Sequence, residues 1–317
     1  DPREAEQPLQ PAEVGCPFEL VGPEVLLEVD GRGVDQAVAR EQQQRGQPGG
    51  HDRHRHREWQ AYTMSSHPPD SNGAPARIAI VSDVHGNLPA FEAVLEDVEA
   101  AGVDAVWCLG DLVGYGASPD GCVALALERC DVLLGGNHDL AVAGRVDLAD
   151  FSPAAAAAAR WTREHAAPDT LATLERLPPA RDEGPIGLYH GSPGDPVWEY
   201  VLSSRQAAEA LDLMSPRIGA IGHTHVALSF VRADGRLSGD PAPAGTEHDI
   251  AAGEWLLNPG SVGQPRDGDP RAAWLLVDLA AWTASWRRVE YPIDAAARAI
   301  AATDLPRHLA DRLFIGQ

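Results

Sequence analysis

Lysine is absent from this chain: all 25 basic side chains are arginine, set against 47 Asp and Glu, for a net charge of −22 over 317 residues. Such a surface repels nucleic acid and anionic membranes, because binding to either is driven by basic residues neutralising phosphate. Stable nucleic-acid binding and a membrane partner are therefore not expected, although a local metal cluster can reverse the sign inside a cleft. Cysteine is scarce as well. Cys16, Cys108, Cys122 and Cys130 show no CxxC spacing, and Cys108 and Cys122 lie in apolar runs, where free buried thiols are the expected state. No apolar run approaches the length that spans a bilayer, and no charged n-region precedes an apolar h-region. The chain reads as soluble and cytoplasmic. An apolar content of 44% is ample for a core, in one large domain or two smaller ones.

Residues 1–76 lack core-forming pattern. QQQRGQPGG and HDRHRHRE are polar tracts with little to bury, and only 18–29 carries enough apolar character for one strand. The first methionine is Met64. The expectation is a functional protein starting near Met64, with 1–76 a disordered leader or over-extended reading frame followed by a linker. His54 and His56 receive no function.

The organising stretch is 78–87, IAIVSDVHGN. Four apolar residues suit a strand buried on both faces, and turn chemistry follows. Asp83 and His85 are two apart, so a continued pleat would point both to one side. The plain alternative is a helix cap and a surface turn. Downstream, 88–101 has helical periodicity and ends at Gly102, as a C-cap would. A strand at 104–109 leads into GDLVGYG, and a helix from Ser118 with Pro119 at its first position follows. A strand at 131–134 ends in GGNHD. Strand and helix repeated in this way imply parallel pairing with right-handed crossovers. The segment 140–179 is helical in character, including the alanine run at 154–159, and stands where it could cover a cleft. Strands at 186–189 and 218–221 end in HGSP and GHTH. Shorter alternating strands at 227–231, 254–257, 272–277 and 283–289 suggest a second, more antiparallel sheet packed on the first. A last helix covers 294–302.

Five strand ends thus offer Asp83/His85, Asp111, Asn137/His138, His190 and His223/His225. Any one of them reads equally well as a turn or cap. Five together are a poor accident. Oxygen and imidazole donors without thiolate suit Mn, Fe, Co, Ni or Zn. There are too many donors for one ion, and a pair of ions sharing a carboxylate is the arrangement used for in-line displacement at phosphorus.

The series SDVHGN, GDLVGYG, GGNHD, HGSP and GHTH resembles the calcineurin-like metallophosphoesterase superfamily over about residues 77–290. GDLVGYG, HGSPGDP and NPGSVGQPRDGDPR are similar to its small bacterial phosphodiesterase branch, near the diadenosine-tetraphosphatase-like members. The resemblance implies an α/β fold of two packed mixed sheets flanked by helices, a four-layer α/β/β/α sandwich. It implies one such domain over 77–303, with a helical cap inserted at about 140–185 and a C-terminal tail at 304–317. It further implies two divalent ions, manganese before iron, nickel, cobalt or zinc. Asp83, His85, Asp111 and His225 would hold the first, and Asp111 would bridge to a second completed by Asn137, His190 and His223. His138 would protonate the leaving alkoxide, with Asp139 orienting it, while hydroxide held by the ions attacks phosphorus. Arg266 would meet a phosphate oxygen, unless it forms a structural salt bridge. The protein-phosphatase branch carries G-D-x-x-D-R-G; here Gly114 and Tyr115 occupy the D-R positions, so its phosphate-gripping arginine is missing, and Tyr115 either borders the substrate or packs beneath it. The expected activity is hydrolysis of a small phosphodiester or nucleotide. The alternatives are a phosphomonoesterase, a nuclease disfavoured by the acidic surface, and a non-catalytic interaction scaffold.

Overall fold

The computed structural model describes residues 75–317. The expectations for a strand at 18–29, a start at Met64 and the His54/His56 pair fall outside the described residues.

The chain opens on strand β1 (Arg77–Val81), and every one of Ile78 to Val81 is fully buried. Ile78 and Ile80 point into a core shared with the second sheet, whereas Ala79 and Val81 point into a core beneath helices. Burial on both faces is why the run is apolar without alternation. Helix α1 (Leu88–Ala101) follows; Asn87 accepts from the Ala90 amide at its start, and Gly102 ends it at φ 65. Next come β2 (Ala105–Cys108), α2 (Pro119–Arg129) and β3 (Val132–Leu133). β1, β2 and β3 pair in parallel, as the repeated strand–helix pattern requires. Three helices then run in succession: α3 (Asn137–Val142), α4 (Pro153–His165) and α5 (Pro168–Arg176). Ala155, Ala158, Ala159 and Leu174 join the core beneath the first sheet's helices.

The later strands depart from the expected arrangement. A hairpin of β4 (Ala180–Glu183) and β5 (Ile186–Tyr189) carries the chain into a second sheet, where β5 lies parallel to β6 (Ile218–Ile221). Helix α6 (Ser204–Leu213) connects them. The second sheet also holds β7 (Ala227–Ala233), β8 (Arg236–Pro241) and β10 (Glu254–Pro259), in the order β4-β5-β6-β10-β7-β8. The first is completed by β9 (Glu247–Asp249), β11 (Ala272–Asp278) and β12 (Thr283–Val289), in the order β3-β2-β1-β11-β12-β9. So 186–189 and 218–221 belong to the second sheet, and 272–277 and 283–289 to the first. Local pattern could not assign them, because a strand covered on both faces reads the same in either sheet.

Ile78, Trp107 and Leu275 from one sheet meet Ile186, Ile218 and Leu257 from the other in a shared core. Helix α6 covers the second sheet, while α1, α2 and α7 (Ile293–Ala301) cover the first. The layers are therefore helix, sheet, sheet, helix. Within 304–317, α8 (His308–Asp311) packs on the first core through Leu309, with Leu313 just beyond it. Among the described residues, no helix is long and apolar enough to cross a membrane.

Candidate metal centre

The loops after β1, β2, β3, β5 and β6 meet at one end of the sandwich, where parallel strands of both sheets terminate. The pleat does not carry Asp83 and His85 to one side, since β1 stops at Val81 and both residues adopt left-handed backbone, φ 57 and 50. Asp111, Tyr115, His223 and His225 do likewise, at φ 54, 60, 66 and 60. A non-glycine residue in this region costs on the order of 1–3 kcal/mol, and such strain persists where surroundings over-determine it. Here they do. The Asp83 and His85 amides donate to the Gly110 and Asp111 carbonyls, and the Ser261 hydroxyl donates to the Asp83 carbonyl.

Two nests of donors share one carboxylate. Asp83, His85, Asp111 and His225 form the first, and Asp111, His190 and His223 the second, with the atoms of each within 4.8 Å of one another. Asp111 Oδ2 stands between them, 3.5 Å from His85 Nε2 and 3.5 Å from His190 Nε2. Asp111 Oδ1 meanwhile accepts from the His138 amide at 2.8 Å. That approach requires glycine at 136, where a Cβ would come 2.1 Å from Asp111 Oδ1.

The imidazole tautomers decide what the nests can bind. His85 Nδ1 faces the Val113 carbonyl at 3.1 Å, His225 Nδ1 the Gln264 carbonyl at 2.6 Å, and His190 Nδ1 the Leu109 carbonyl at 3.0 Å. A carbonyl only accepts, so each Nδ1 carries hydrogen, and each neutral ring presents a lone pair at Nε2. Burial keeps the rings neutral: it lowers His85 and His225 well below the ordinary histidine value and pushes His190 down to about 3. The lone pairs of His85 and His225 then confront each other at 2.9 Å. That of His190 confronts Asn137 Oδ1 at 3.1 Å. Asp83 Oδ1 and Asp111 Oδ2 lie buried without a hydrogen-bond partner. Acceptors aimed at acceptors in a dry site are unfavourable unless a cation lies among them. The donor set fits divalent metal.

Burial raises both carboxyls, Asp83 to about 7 and Asp111 well above the usual carboxylate range. At pH 6 the metal-free site accordingly retains carboxyl protons, while His85, His190 and His225 are already neutral. A cation must displace those protons, so metal binding at pH 6 is expected to release at least one and to tighten as pH rises past 7. Calorimetric titrations in buffers of different ionisation enthalpy count them; proton uptake would contradict the assigned states.

The remaining expected residues are placed as follows. Asn137 and His138 open α3, and the His138 ring lies 4.4 Å from Tyr115, 5.0 Å from His85 and 5.0 Å from Phe151. His138 Nδ1 has no hydrogen-bond partner. It rests on Gly114, where a Cβ would come within 2.4 Å of it. Asp139 is not hydrogen-bonded to His138 Nδ1. Its carboxylate accepts from the amides of Leu112, Val113 and Gly136 at 3.0–3.2 Å, and so holds the loop carrying Asp111 against the start of α3. Burial raises Asp139 to about 6, with those amides opposing the rise. Tyr115 is 6% exposed. Its ring packs against His85 at 4.7 Å, and the Arg266 guanidinium sits 5.7 Å from the ring centre. Arg266 is buried, donates to Gln264 Oε1 at 2.9 Å and adds positive potential at Asp83, His85, Asp111, His138 and His225.

Several supporting residues escaped the sequence reading. Asn258 donates to the Gly222 carbonyl and to Thr224 Oγ1, bracing the loop of His223 and His225. Gln264 holds both His225 and Arg266. Tyr200 stacks on His223 at 4.0 Å and 17°. The NPGSVGQPR stretch signalled a loop, but nothing in it showed which histidine it would support.

A model of the calcineurin-like phosphoesterase superfamily domain matches residues 77–281. The chain belongs to this superfamily. An uncharacterised protein of Methanocaldococcus jannaschii is 36% identical over 248 residues, 76% of this chain and 98% of the relative. A metallophosphoesterase from Sphaerobacter thermophilus shares 39% identity and a TM-score of 0.70, over 77% of this chain and 100% of that one. A hypothetical protein from Pyrococcus horikoshii, 19% identical, has the same fold at a TM-score of 0.62, over 76% of this chain and 98% of its own. The chain therefore has the metallophosphoesterase fold with a buried Asp/His metal-binding cluster, in a family that hydrolyses phosphoesters.

Proposed function

We propose that this phosphoesterase is a dinuclear metal-dependent phosphodiesterase for small phosphodiesters or nucleotides. The observation that carries the reading is the Asp111 Oδ2 atom at 3.5 Å from an imidazole lone pair of each nest, a bridging position for two cations. Asp83, His85, Asp111 and His225 would hold one ion, and Asp111, Asn137, His190 and His223 the other, manganese being the first to try. Two such ions supply Lewis acidity toward phosphate oxygens and a lowered pKa for water. The protein's own groups do the rest. Arg266 enters from the β10–β11 loop with its charge directed at the site, and takes a phosphate oxygen in place of the arginine missing beside Gly114. His138, whose amide donates to the shared carboxylate and whose ring lies 5.0 Å from that of His85, delivers a proton to the departing oxygen. Tyr115 keeps His85, His138 and Arg266 in mutual register, and Asp139 keeps the Asp111 loop closed.

The test is hydrolysis of bis-p-nitrophenyl phosphate beside p-nitrophenyl phosphate by the full chain, stripped of metal and then given Mn²⁺, Ni²⁺ or Zn²⁺. Metal-restored cleavage of the diester with little of the monoester is expected. Monoester preference would replace the reading by a phosphatase, and no turnover with ions bound would replace it by a scaffold.

A further inference from the structure

His138 has an aromatic neighbour that neither nest uses. The Phe151 ring meets it edge-on at 5.0 Å and 80°, and Trp198 meets Phe151 at 5.0 Å and 72°. Both rings are half-buried, each leaving part of its surface to solvent, in a chain of ring contacts that ends on the almost wholly enclosed His138. They come from segments far apart in the chain, and each is pinned by its own loop. Asp147 caps the short turn before Phe151 by accepting from the Ala149 amide at 2.9 Å, and Ser152 caps α4 directly after it by accepting from Ala155 at 3.3 Å. Asp195 Oδ1 accepts from the amides of Val197 and Trp198 at 3.1 and 3.0 Å. Ser192 accepts from Gly194 and Asp195 at 3.0 Å while donating to Glu199. The two rings are thus held in place before any ligand arrives, which reduces the entropy lost on binding.

We propose that Phe151 and Trp198 form a rigid aromatic wall that selects substrates with a flat aromatic ring, a nucleobase or an aryl group, on the leaving side of the phosphate. The proposal rests on the reading of His138 as the proton donor, which puts the leaving group beside these rings. One ring face and one ring edge set at 72° suit a planar group that stacks on the first and abuts the second. A sugar or peptide hydroxyl would leave both rings in water. A nucleobase covers them, and such stacking tolerates any base because every base has a π-face.

Calorimetry on the full, Mn²⁺-loaded chain tests this through two pairs of ligands that differ only in the ring: AMP against ribose 5-phosphate, and phenyl phosphate against methyl phosphate. AMP is expected to bind about tenfold tighter than ribose 5-phosphate, and Trp198→Ala and Phe151→Leu to bring that ratio toward one. A matching preference for phenyl phosphate would assign the wall to any aryl ring, and its absence to nucleobases. Equal affinities in the unmodified protein, or a ratio that survives both substitutions, would overturn the proposal. Because the readout is binding, loss of hydrolysis would count against the phosphodiesterase reading alone.

Discussion

Asp111→Asn is expected to lower turnover by roughly 10²–10³-fold, the scale on which removal of one preorganised electrostatic element acts, and to halve the bound metal, while the fold survives. Asparagine keeps the oxygen that accepts from the His138 amide, so the junction between the β2 loop and α3 stays closed. What changes is the other carboxylate oxygen, the one facing both nests. An amide nitrogen there carries no charge and cannot bridge two cations. It would instead donate to the lone pair of His85 or His190 at the 3.5 Å separation now seen, filling part of the site from within. The metal-free variant should therefore melt close to the unmodified metal-free protein, since its amide donates where the protonated Asp111 carboxyl of the metal-free site does. Elemental analysis and a melting curve together check this. Unmodified turnover with two ions bound would refute the bridging assignment.

His138→Ala is expected to keep both ions and lose activity in proportion to how badly the leaving group needs a proton. For an alkoxide the loss should reach 10²–10⁴-fold, the usual contribution of a positioned acid; for p-nitrophenolate, which departs unaided, it should be small. Burial, reinforced by Arg266, lowers His138 well below the ordinary histidine value, so the ring is neutral when substrate is absent. An anionic phosphate arriving beside it favours the imidazolium and moves the value back up. The proton is thus acquired with the substrate, and kcat for alkyl diesters, which reports the substrate complex, should fall on the alkaline side in the native protein but not in the variant. Loss of one metal equivalent in His138→Ala would make the ring a ligand and end its assignment as an acid.

The donors of the site were legible because each closes a short buried strand, and a buried apolar run ending in Asp, Asn or His is a local pattern. The supporting groups were not, since each acts at long range. Asp139 looked like a partner for the adjacent ring, yet its carboxylate turns to amides 26 and 27 residues upstream. Tyr115 read equally as a cleft-edge residue or as packing, and only the fold brings the rings of His85 and His138 to 4.7 and 4.4 Å from its own.

By itself the sequence determined which residues form buried strands, which helices separate the first three, and which side chains stand at the strand ends, because hydrophobic periodicity and turn chemistry act over a few residues. The tertiary structure alone decided that β5 and β6 join the second sheet and β11 and β12 the first, that Asp83 and His85 converge through left-handed turns and not through a pleat, and that His85, His190 and His225 present Nε2 inward. Those outcomes depend on carbonyls and carboxylates brought in from distant segments. Long-range hydrogen bonds in a dry interior set the direction of these three lone pairs, and that direction separates a cluster of polar residues from a site shaped for divalent metal.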